Sequence, residues 1–366
     1  MRTTAVVCRE QGKPFELEEI EIGPLREDEV LVRVVAAGVC HTDLICRDQW
    51  YPVPLPSVFG HEGSGVVEEV GSGVRKVKHG DHVVLTFASC GTCKPCQKGH
   101  PAYCAEFYVR NVTGGRVDGS SGLTGQGGRI NGHFFGQSSW AGYSLATERN
   151  VVKVDQSAPL EMLGPLGCGI QTGSGAVFNV LRPLAGESIA VFGAGSVGLS
   201  AIMAAKAVGC TTIIAVDLKD HRLELAKELG ATHGVNPSQV NTVEAIQDLT
   251  GGGVDYALEM TAVPAVFGDA VNSLATLGTV GVIGATALGV HYSFDLNGLM
   301  IPGKKVVGIV EGDSVPDVFI PRLVDLIEQG KFPVGRLVAN YPMAEVNQAA
   351  ADTENGVVVK PILLMG

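Results

Sequence analysis

The first part of the chain carries short runs in which apolar and polar residues alternate. Glycine and proline interrupt these runs at Gly12, at Pro14 and again at Gly23. Alternation with a period of two between such turn residues is typical of β-strands with one buried face. The run from Val30 to Ala37 is a clear case, and similar runs follow over 65–71 and 80–85. The pattern predicts a compact, mostly β domain.

Residues 110–136 interrupt this pattern. They are rich in glycine, serine and asparagine and contain few residues that build a core. Such a composition predicts an irregular surface lobe. Phe134–Gly136 and Trp140–Tyr143 bring the chain back to the β pattern, which continues to about Val154.

Beyond Gly175 the pattern changes to near-continuous apolar runs separated by helix-like segments. The apolar runs are the predicted strands 187–192, 212–217, 254–259, 279–284 and 305–310. Helix-like segments such as Val197–Val208 and His221–Leu229 lie between them. This alternation predicts an α/β fold with a doubly wound parallel sheet that is covered by helices on both faces.

The end of the chain mixes a predicted helix at Ile320–Gln329 with short strands that end in Val357–Lys360. This mixture fits a return of the chain to the first domain better than an extension of the parallel sheet.

Length and composition narrow the class of protein. A chain of 366 residues exceeds one ordinary core, so two domains are expected. The net charge of -11 argues against nucleic acid or an anionic membrane as a partner. The sequence shows neither a signal-peptide pattern nor an apolar run of transmembrane length, so we expect a cytoplasmic protein.

Four of the nine cysteines fall in one short loop. They are Cys90, Cys93, Cys96 and Cys104. In a reducing compartment such a cluster predicts metal binding rather than disulfides. Four thiolates around a tetrahedral zinc leave no open position, so this zinc would be structural. An iron–sulfur cluster and unligated reduced cysteines are the alternatives.

A glycine-rich turn follows the predicted strand 187–192. Gly193, Gly195 and Gly198 form the pattern G-x-G-x-x-G and open a predicted helix, and Asp217 ends the next predicted strand. In this context the glycines make the turn, let the backbone approach a pyrophosphate and allow close packing of helix on strand. The sequence therefore predicts a dinucleotide site, with a ligand-free glycine turn as the alternative.

The acidic residue of this motif selects between the two nicotinamide dinucleotides. Asp217 would bind the adenosine ribose hydroxyls and repel a 2′-phosphate, so NAD is favoured over NADP. Lys219 and Arg222 are nearby cations that keep NADP open as the alternative.

Candidate ligands for a second metal come from distant parts of the chain. Cys40 stands in the stretch Val39–Asp43, His61 precedes Glu62, and Cys168 lies at the start of the nucleotide-binding region. Cysteine and histidine are also common core residues, which is the alternative for each of them. Two thiolates and one imidazole would leave a fourth tetrahedral position open, as in a catalytic zinc site.

Taken together, the motifs resemble the zinc-dependent medium-chain alcohol dehydrogenases over the whole chain. The matching segments are 38–43, 60–65, the four-cysteine loop, 168–169 and the glycine turn. Segments 40–56, 134–139, 164–173 and 309–312 are similar to bacterial benzyl (aryl) alcohol dehydrogenases in particular. The resemblance implies a GroES-like catalytic domain over 1–169 and 310–366, a Rossmann NAD-binding domain over 170–309, and a homodimer or homotetramer.

The resemblance also implies roles for single residues around the metal. Cys40, His61 and Cys168 would bind the catalytic zinc, Glu62 would lie behind it, and Asp43 would orient His61.

Further roles concern the substrate and the cofactor. Thr42 would bond the substrate hydroxyl and relay its proton, His41 and Lys360 would contact cofactor phosphates, and Thr172 would lie near the nicotinamide. Ile45 stands where many family members carry a histidine that passes the proton to solvent, so the exit of the proton beyond Thr42 is left open.

Apolar and aromatic residues are the candidates for the substrate pocket. They are Ile45, Trp50, Tyr51, Phe87 and Phe135. Such a pocket suits a flat ring. By resemblance we expect a primary aromatic alcohol and its aldehyde, with geraniol-type allylic alcohols as the near alternative. A polyol or glutathione-adduct dehydrogenase and a non-catalytic NAD-binding scaffold are more distant alternatives.

Overall fold

The computed structural model describes residues 1–293 and 295–366, and the chain forms two compact units. The first unit contains Met1–Cys168, Val315–Glu328 and Val334–Gly366, and the second contains Gly169–Ser314 and Gln329–Pro333. Within the described residues, the helices are all too short or too polar to cross a membrane.

The first unit begins with strands and short helices. In chain order they are β1 (Arg2–Cys8), β2 (Glu16–Ile22), β3 (Glu29–Gly38), α1 (His41–Arg47), β4 (Ser57–Val58), β5 (Gly63–Val70), β6 (His82–Leu85), α2 (Lys94–Gln97), α3 (Phe107–Asn111), β7 (Leu123–Gly125), β8 (Gly128–Ile130), β9 (Tyr143–Thr147), β10 (Val151–Lys153) and α4 (Leu160–Leu163).

The second unit alternates helices and strands. They are α5 (Gly169–Gly175), β11 (Ser188–Phe192), α6 (Ser196–Val208), β12 (Thr212–Val216), α7 (Asp220–Leu229), β13 (His233–Val235), α8 (Thr242–Thr250), β14 (Val254–Glu259), α9 (Pro264–Asn272), β15 (Leu274–Val282), α10 (Leu296–Met300) and β16 (Lys305–Gly308). The end of the chain adds α11 (Pro316–Glu328), β17 (Val338–Pro342), α12 (Val346–Glu354) and β18 (Lys360–Leu364) to the first unit.

Two sheets build the first unit, with strand orders β4-β1-β2-β7-β8 and β10-β6-β5-β3-β18-β17. The antiparallel pair β3–β5 runs from Val30 opposite Val70 to Ala37 opposite Gly63. Antiparallel pairing places the end of one strand beside the start of the other. The residues that follow β3 and those that precede β5, among them Cys40 and His61, are therefore brought to the same end of the sheet.

A parallel sheet with the order β13-β12-β11-β14-β15-β16 forms the second unit. Its central strands are apolar and fully buried, as Ile189 and Val191 show, because helices cover both faces of such a sheet. The predicted α/β class with a parallel sheet is confirmed. The carboxyl ends of β11 and β12 align, so Gly193 and Asp217 follow at one edge.

Two strand boundaries differ most from the sequence prediction. β15 begins at Leu274 rather than at residue 279, and its register against β14 shifts between Val254 and Tyr256. The last strand begins at Lys360, whereas the prediction ended there. Val357 N–H donates to Asp352 O, so the residues before Lys360 close the end of α12 instead of pairing in the sheet.

The prediction of a surface lobe over 110–136 is wrong for its second half. β7 and β8 form an antiparallel hairpin that extends the sheet beyond β2. Phe134 and Phe135 are buried in the core of the first unit. The two rings anchor the end of this segment in the core, while Gln126 to Arg129 at the tip of the hairpin are exposed.

His133 is a buried histidine in this segment. Its side chain is 6% exposed, and its Nε2 atom has no hydrogen-bond partner within the described part of the chain. The nearest charged groups include the ion pair Arg116–Glu29. Burial lowers the pKa of His133 to about 4, because it disfavours the imidazolium more strongly than Glu29 favours it.

We expect His133 to make the first unit sensitive to acid. Its unfolded pKa is about 6.5, so between pH 6.5 and pH 4 the unfolded chain binds a proton that the native chain does not. The stabilisation is present above pH 6.5 and is lost as the pH falls. The variant His133→Asn keeps a residue that tolerates the backbone φ of 93°. When the pH is lowered from 7 to 5, the unfolding free energy should fall by about 2 kcal/mol less in this variant than in wild type.

Urea unfolding at the two pH values measures this difference, and effects common to both proteins cancel in it. The exposed His291→Asn is the control and should lose as much as wild type. Equal losses in wild type and His133→Asn would contradict the assignment.

Candidate active site

Four side chains of the first unit meet at the end of the β3–β5 pair. Cys40 precedes α1, His61 and Glu62 precede β5, and Cys168 follows a 3-10 turn over Gly164–Gly167. Each offers one ligand atom, and these atoms all lie within 4.8 Å of one another. The three predicted ligands of the catalytic zinc are thus close together, although they come from distant parts of the sequence.

The buried carboxylate of Asp43 holds His61 in place. Asp43 Oδ1 lies 2.9 Å from His61 Nδ1 and also accepts the Gly60 N–H at 3.0 Å. Its other oxygen accepts the Cys40 N–H at 2.9 Å. His61 Nε2 is buried and, among the described residues, without a hydrogen-bond partner. A zinc ion would satisfy this nitrogen, so the site fits the predicted metal.

The surroundings of Cys40 favour the ionised form of its thiol. A hydrogen bond with Cys168 and the positive charge of Lys360 lower the pKa of Cys40 well below its usual value, against the opposing effect of burial. The thiolate is the form that binds metals. The Thr42 hydroxyl lies 3.7 Å from Cys40 Sγ, on the first turn of α1.

Glu62 forms a buried ion pair with Lys360. The Lys360 Nζ atom donates to both carboxylate oxygens, at 3.0 and 2.9 Å, and to the Val39 carbonyl at 3.3 Å. Burial alone would lower the pKa of Lys360, but Glu62 and Cys40 raise it above its ordinary value. An ammonium group has three donors, and these contacts use all of them. The geometry pairs Lys360 with Glu62, and its predicted contact with a cofactor phosphate stays a prediction.

Two glycines leave room for Glu62. A Cβ atom on Gly38 would lie 2.0 Å from Glu62 Oε2, and one on Gly164 would lie 2.1 Å from the Glu62 carbonyl oxygen. Any side chain at either position would displace the glutamate. Glycine is required at both positions because Glu62 packs against them. Since Glu62 is distant from both in the sequence, no local pattern reveals this requirement.

Sequence reasoning also missed the role of Gln137. Its amide oxygen accepts the Gly63 N–H at 3.1 Å, and its amide nitrogen donates to the His61 carbonyl at 2.9 Å. Gln137 therefore fixes the backbone on both sides of Glu62 through these two hydrogen bonds. The only available signal was its place in the segment 134–139, which carries part of the family resemblance.

The four-cysteine loop gathers its sulfur atoms into one cluster. All four lie within 4.8 Å of one another, with Cys90 to Cys96 at 4.0 Å and Cys93 to Cys104 at 3.9 Å. A tetrahedron with zinc–sulfur bonds of about 2.3 Å has sulfur–sulfur edges of about 3.8 Å. A disulfide would require about 2.05 Å. The loop therefore fits a metal centre with four thiolate ligands.

Backbone N–H groups in this loop point at the sulfur atoms. The Cys93 N–H donates to Cys90 Sγ at 3.2 Å, and the Cys90 N–H donates to Cys104 Sγ at 3.2 Å. Although burial raises the pKa of Cys90, the N–H donors of Cys93 and Thr92 lower it to about 6. These donors favour the thiolate of Cys90, the form that binds metals.

In the second unit, the glycine turn has the geometry of a phosphate-binding loop. Gly193 has a φ of 100°, which favours glycine. A Cβ atom on Gly198 would lie 1.8 Å from the Gly193 carbonyl oxygen, whereas one on Gly195 would meet nothing within 4 Å. The open space at Gly195 lies at the start of α6, where N–H groups favour a phosphate.

Asp217 lies beside this turn. One carboxylate oxygen accepts the Ala194 N–H at 2.8 Å, and the other accepts the Lys219 N–H at 2.9 Å. Arg222 approaches Asp217 at 3.9 Å. The dinucleotide motif is therefore assembled at one edge of the sheet.

The remaining predicted residues differ in exposure. His41 is exposed at the start of α1, and Thr172 is 8% exposed on α5 in the second unit. Ile45 and Phe87 are buried in the first unit, whereas Trp50 is 49% exposed. Their roles toward phosphate, nicotinamide and substrate stay predictions.

Comparisons with known proteins agree with this description. A model of the alcohol dehydrogenase GroES-like domain matches residues 26–156, and a model described as zinc-binding dehydrogenase matches residues 196–329. The chain is 46% identical to geraniol dehydrogenase of Castellaniella defragrans, over 98% of this chain and 97% of that protein.

Solved structures match over the full length. Benzyl alcohol dehydrogenase from Acinetobacter calcoaceticus is 49% identical, with a TM-score of 0.97 and complete coverage of both chains. An alcohol dehydrogenase zinc-binding domain protein from Burkholderia ambifaria is 56% identical, with a TM-score of 0.98 over 100% of this chain and 99% of that one.

The chain belongs to the zinc-dependent medium-chain alcohol dehydrogenases. It combines the GroES-like domain and the Rossmann-type parallel sheet that the sequence predicted. The predicted cofactors, zinc and a nicotinamide dinucleotide, are confirmed at the level of the family.

We expect the four-cysteine loop to account for one of two zinc ions per chain. Cys104→Ser removes one ligand, so metal analysis should find about one zinc per chain, with a lower Tm because the loop loses its cross-link. The buried Cys210→Ser, far from either cluster in the sequence, is the control and should keep two. Two zinc ions in Cys104→Ser would contradict the assignment.

Proposed function

We propose that this enzyme oxidises primary aromatic alcohols of the benzyl type to aldehydes, with NAD as the hydride acceptor. The observation that carries the proposal is an aromatic ring beside the metal-ligand cluster. The ring of Phe135 stacks on the His61 imidazole with centroids 4.6 Å apart and planes 28° apart. A flat apolar surface next to the reactive position favours a flat apolar substrate.

Further rings continue from Phe135. Phe107 lies 6.2 Å from Phe135, and Phe87 lies 6.1 Å from Phe107, measured between ring centroids. These side chains offer no hydrogen-bonding group that a polyol would need. The cluster therefore supports an aromatic alcohol over a polyol.

Geraniol-type allylic alcohols are the second candidate. The relative from Castellaniella defragrans is a geraniol dehydrogenase and is 46% identical over nearly the whole chain. An allylic alcohol is flat around its double bond and apolar beyond it, so the same aromatic rings would accept it.

The residues of the first unit have separate tasks in the reaction. Lewis acidity, which lowers the pKa of the alcohol hydroxyl, is the chemistry that zinc supplies when bound. Cys40, His61 and Cys168 would hold the metal, and Asp43 fixes the imidazole. The Thr42 hydroxyl would accept the proton of the alcohol while the hydride passes to the nicotinamide.

The proton leaves Thr42 by a route that does not use the next turn of α1. Ile45 is 2% exposed and apolar, so it neither accepts a proton nor contacts solvent. Thr42 itself is partly exposed. We therefore infer that water takes the proton directly from Thr42.

NAD is favoured over NADP by the carboxylate of Asp217. Its two oxygens accept N–H groups on either side of the turn, which fixes a negative charge where a ribose 2′-phosphate would sit. Arg222, 3.9 Å away, offsets this charge only in part.

We also propose a homodimer or homotetramer in the cytoplasm, with small molecules as its other partners. Strand β16 ends the parallel sheet and pairs with β15. Apolar side chains on and before it are exposed, with Val306 at 41%, Met300 at 69% and Ile301 at 78%. An exposed apolar edge strand is a suitable surface for binding a second copy of the chain.

The net charge of -11 disfavours nucleic acid and membrane surfaces as partners.

A substrate panel tests the function. Initial rates of NADH formation should give kcat/KM for benzyl alcohol at least about tenfold above ethanol, with geraniol between them and sorbitol lowest. NADP in place of NAD should lower the rate with every alcohol. A higher kcat/KM for ethanol than for benzyl alcohol would contradict the assignment of an aromatic substrate. A higher kcat/KM for geraniol than for benzyl alcohol would favour the second candidate.

A variant of Phe135 links the panel to the structure. Phe135→Leu keeps the apolar volume and removes the ring, so kcat/KM for benzyl alcohol should fall about three- to tenfold while that for ethanol changes little. An equal fall for both alcohols would mean that Phe135 only supports His61.

We expect Thr42→Ala to lose turnover by at least about a hundredfold, because the proton of the alcohol loses its acceptor. Zinc content and NAD affinity should stay unchanged, since Thr42 is not among the metal ligands. Thr42→Ser keeps the hydroxyl and serves as the matched control, with a much milder effect. Near-normal turnover in Thr42→Ala would contradict the relay.

A further inference from the structure

Trp140 is fully buried in the core of the first unit. Its backbone runs beside the residues that lead into β5. The Trp140 N–H donates to the Phe59 carbonyl at 3.1 Å, and the Ser139 N–H donates to the Gly60 carbonyl at 2.8 Å. These two bonds place the indole next to the segment that carries His61.

The indole ring lies directly against Gly60. A Cβ atom on Gly60 would lie 2.3 Å from Trp140 Cδ1, and the φ of 86° at this position also favours glycine. The Gly60 N–H donates to the buried Asp43 carboxylate. Gly60 directly precedes His61, so the ring limits the path of the backbone that enters this metal ligand.

The same indole bonds the segment that carries the other early metal ligand. Its Nε1–H donates to the Gly38 carbonyl at 3.1 Å. Gly38 ends β3, two residues before Cys40. The indole has a single polar donor, which normally finds a partner when it is buried. One rigid side chain therefore contacts the backbone just before Cys40 and just before His61.

Phe15 supports the indole. The two rings meet edge to face, with centroids 5.1 Å apart and planes at 90°, which is a favourable arrangement for aromatic rings. Phe15 is itself fixed by two hydrogen bonds with the Asn347 side chain on α12, both of 2.9 Å. The indole is therefore held in one orientation by its own hydrogen bond and by a fixed neighbouring ring.

We propose that Trp140 is a positioning residue of the catalytic metal site, and that it sets the spacing between the Cys40 thiol and the His61 imidazole. Asp43 orients the imidazole through polar bonds, whereas the indole separates and joins the two backbone segments that carry the ligands. Metal ligands keep their affinity only while the residues around them fix their geometry. This role goes beyond the proposed function, because it holds for any alcohol substrate.

Titration of the purified zinc enzyme with EDTA tests the proposal, with native mass spectrometry to count the zinc ions per chain. In Trp140→Phe, which removes the N–H donor and part of the ring, the EDTA concentration that releases one zinc should fall about tenfold. The concentration that releases the other zinc, held by the four-cysteine loop, should stay within about twofold. Turnover should be lost in step with the first zinc. A general loss of stability would instead lower both concentrations.

Phe15→Leu is the milder second variant, and it decides the matter if Trp140→Phe does not fold. It leaves the indole in place but removes its support, so the same zinc should be released at about threefold less EDTA. Cobalt exchanged for this zinc reports ligand geometry through its visible absorption, and its bands should shift in both variants. Phe332→Leu removes a fully buried ring of the second unit and should change neither measurement.

Three outcomes would overturn the proposal. They are an equal shift for both zinc ions, no shift in either variant, and a selective shift of a zinc whose release leaves turnover intact. None of these outcomes depends on which alcohol is oxidised, so the proposed substrate class is tested separately.

Discussion

The catalytic cluster depends on one buried carboxylate, that of Asp43. It accepts the N–H of Cys40, the N–H of Gly60 and the Nδ1 atom of His61, so it joins the chain that leaves β3 to the chain that enters β5. A buried carboxylate is stable only when its oxygens are satisfied. These partners are the backbone at Cys40, the backbone next to His61 and the His61 imidazole itself. The bonds that stabilise Asp43 therefore also orient His61 Nε2 toward the metal position.

The ion pair between Glu62 and Lys360 compensates negative charge at the metal-ligand cluster. The Cys40 thiolate carries negative charge, and Glu62 adds another in a fully buried position. Lys360, on the last strand of the chain, supplies the compensating cation. The end of the chain is therefore needed to complete a site whose ligands all come from its first half. β18 pairs with β3 in the sheet, and this pairing places Lys360 beside the site.

Each unit holds a buried side chain in a left-handed turn. In the first unit Phe135 covers the imidazole of His61, which supports the choice of a flat apolar alcohol. In the second unit Glu311 is buried and accepts the Thr172 hydroxyl. Both residues stand in strained turns, with φ angles of 50° and 48°. Such turns are tolerated because packing and hydrogen bonds hold them on both sides.

The sequence by itself determined the features that depend on local patterns. The parallel sheet, the glycine turn and the four-cysteine loop follow from periodicity and spacing, because each is built from neighbouring residues. The tertiary structure alone decided which distant residues meet. Lys360 bonds Glu62, a contact that the sequence did not indicate. Residues 123–130 were expected in an irregular surface lobe and instead form a hairpin in the sheet. Charge compensation and core packing depend on contacts between segments far apart in the chain, and no local pattern records those contacts.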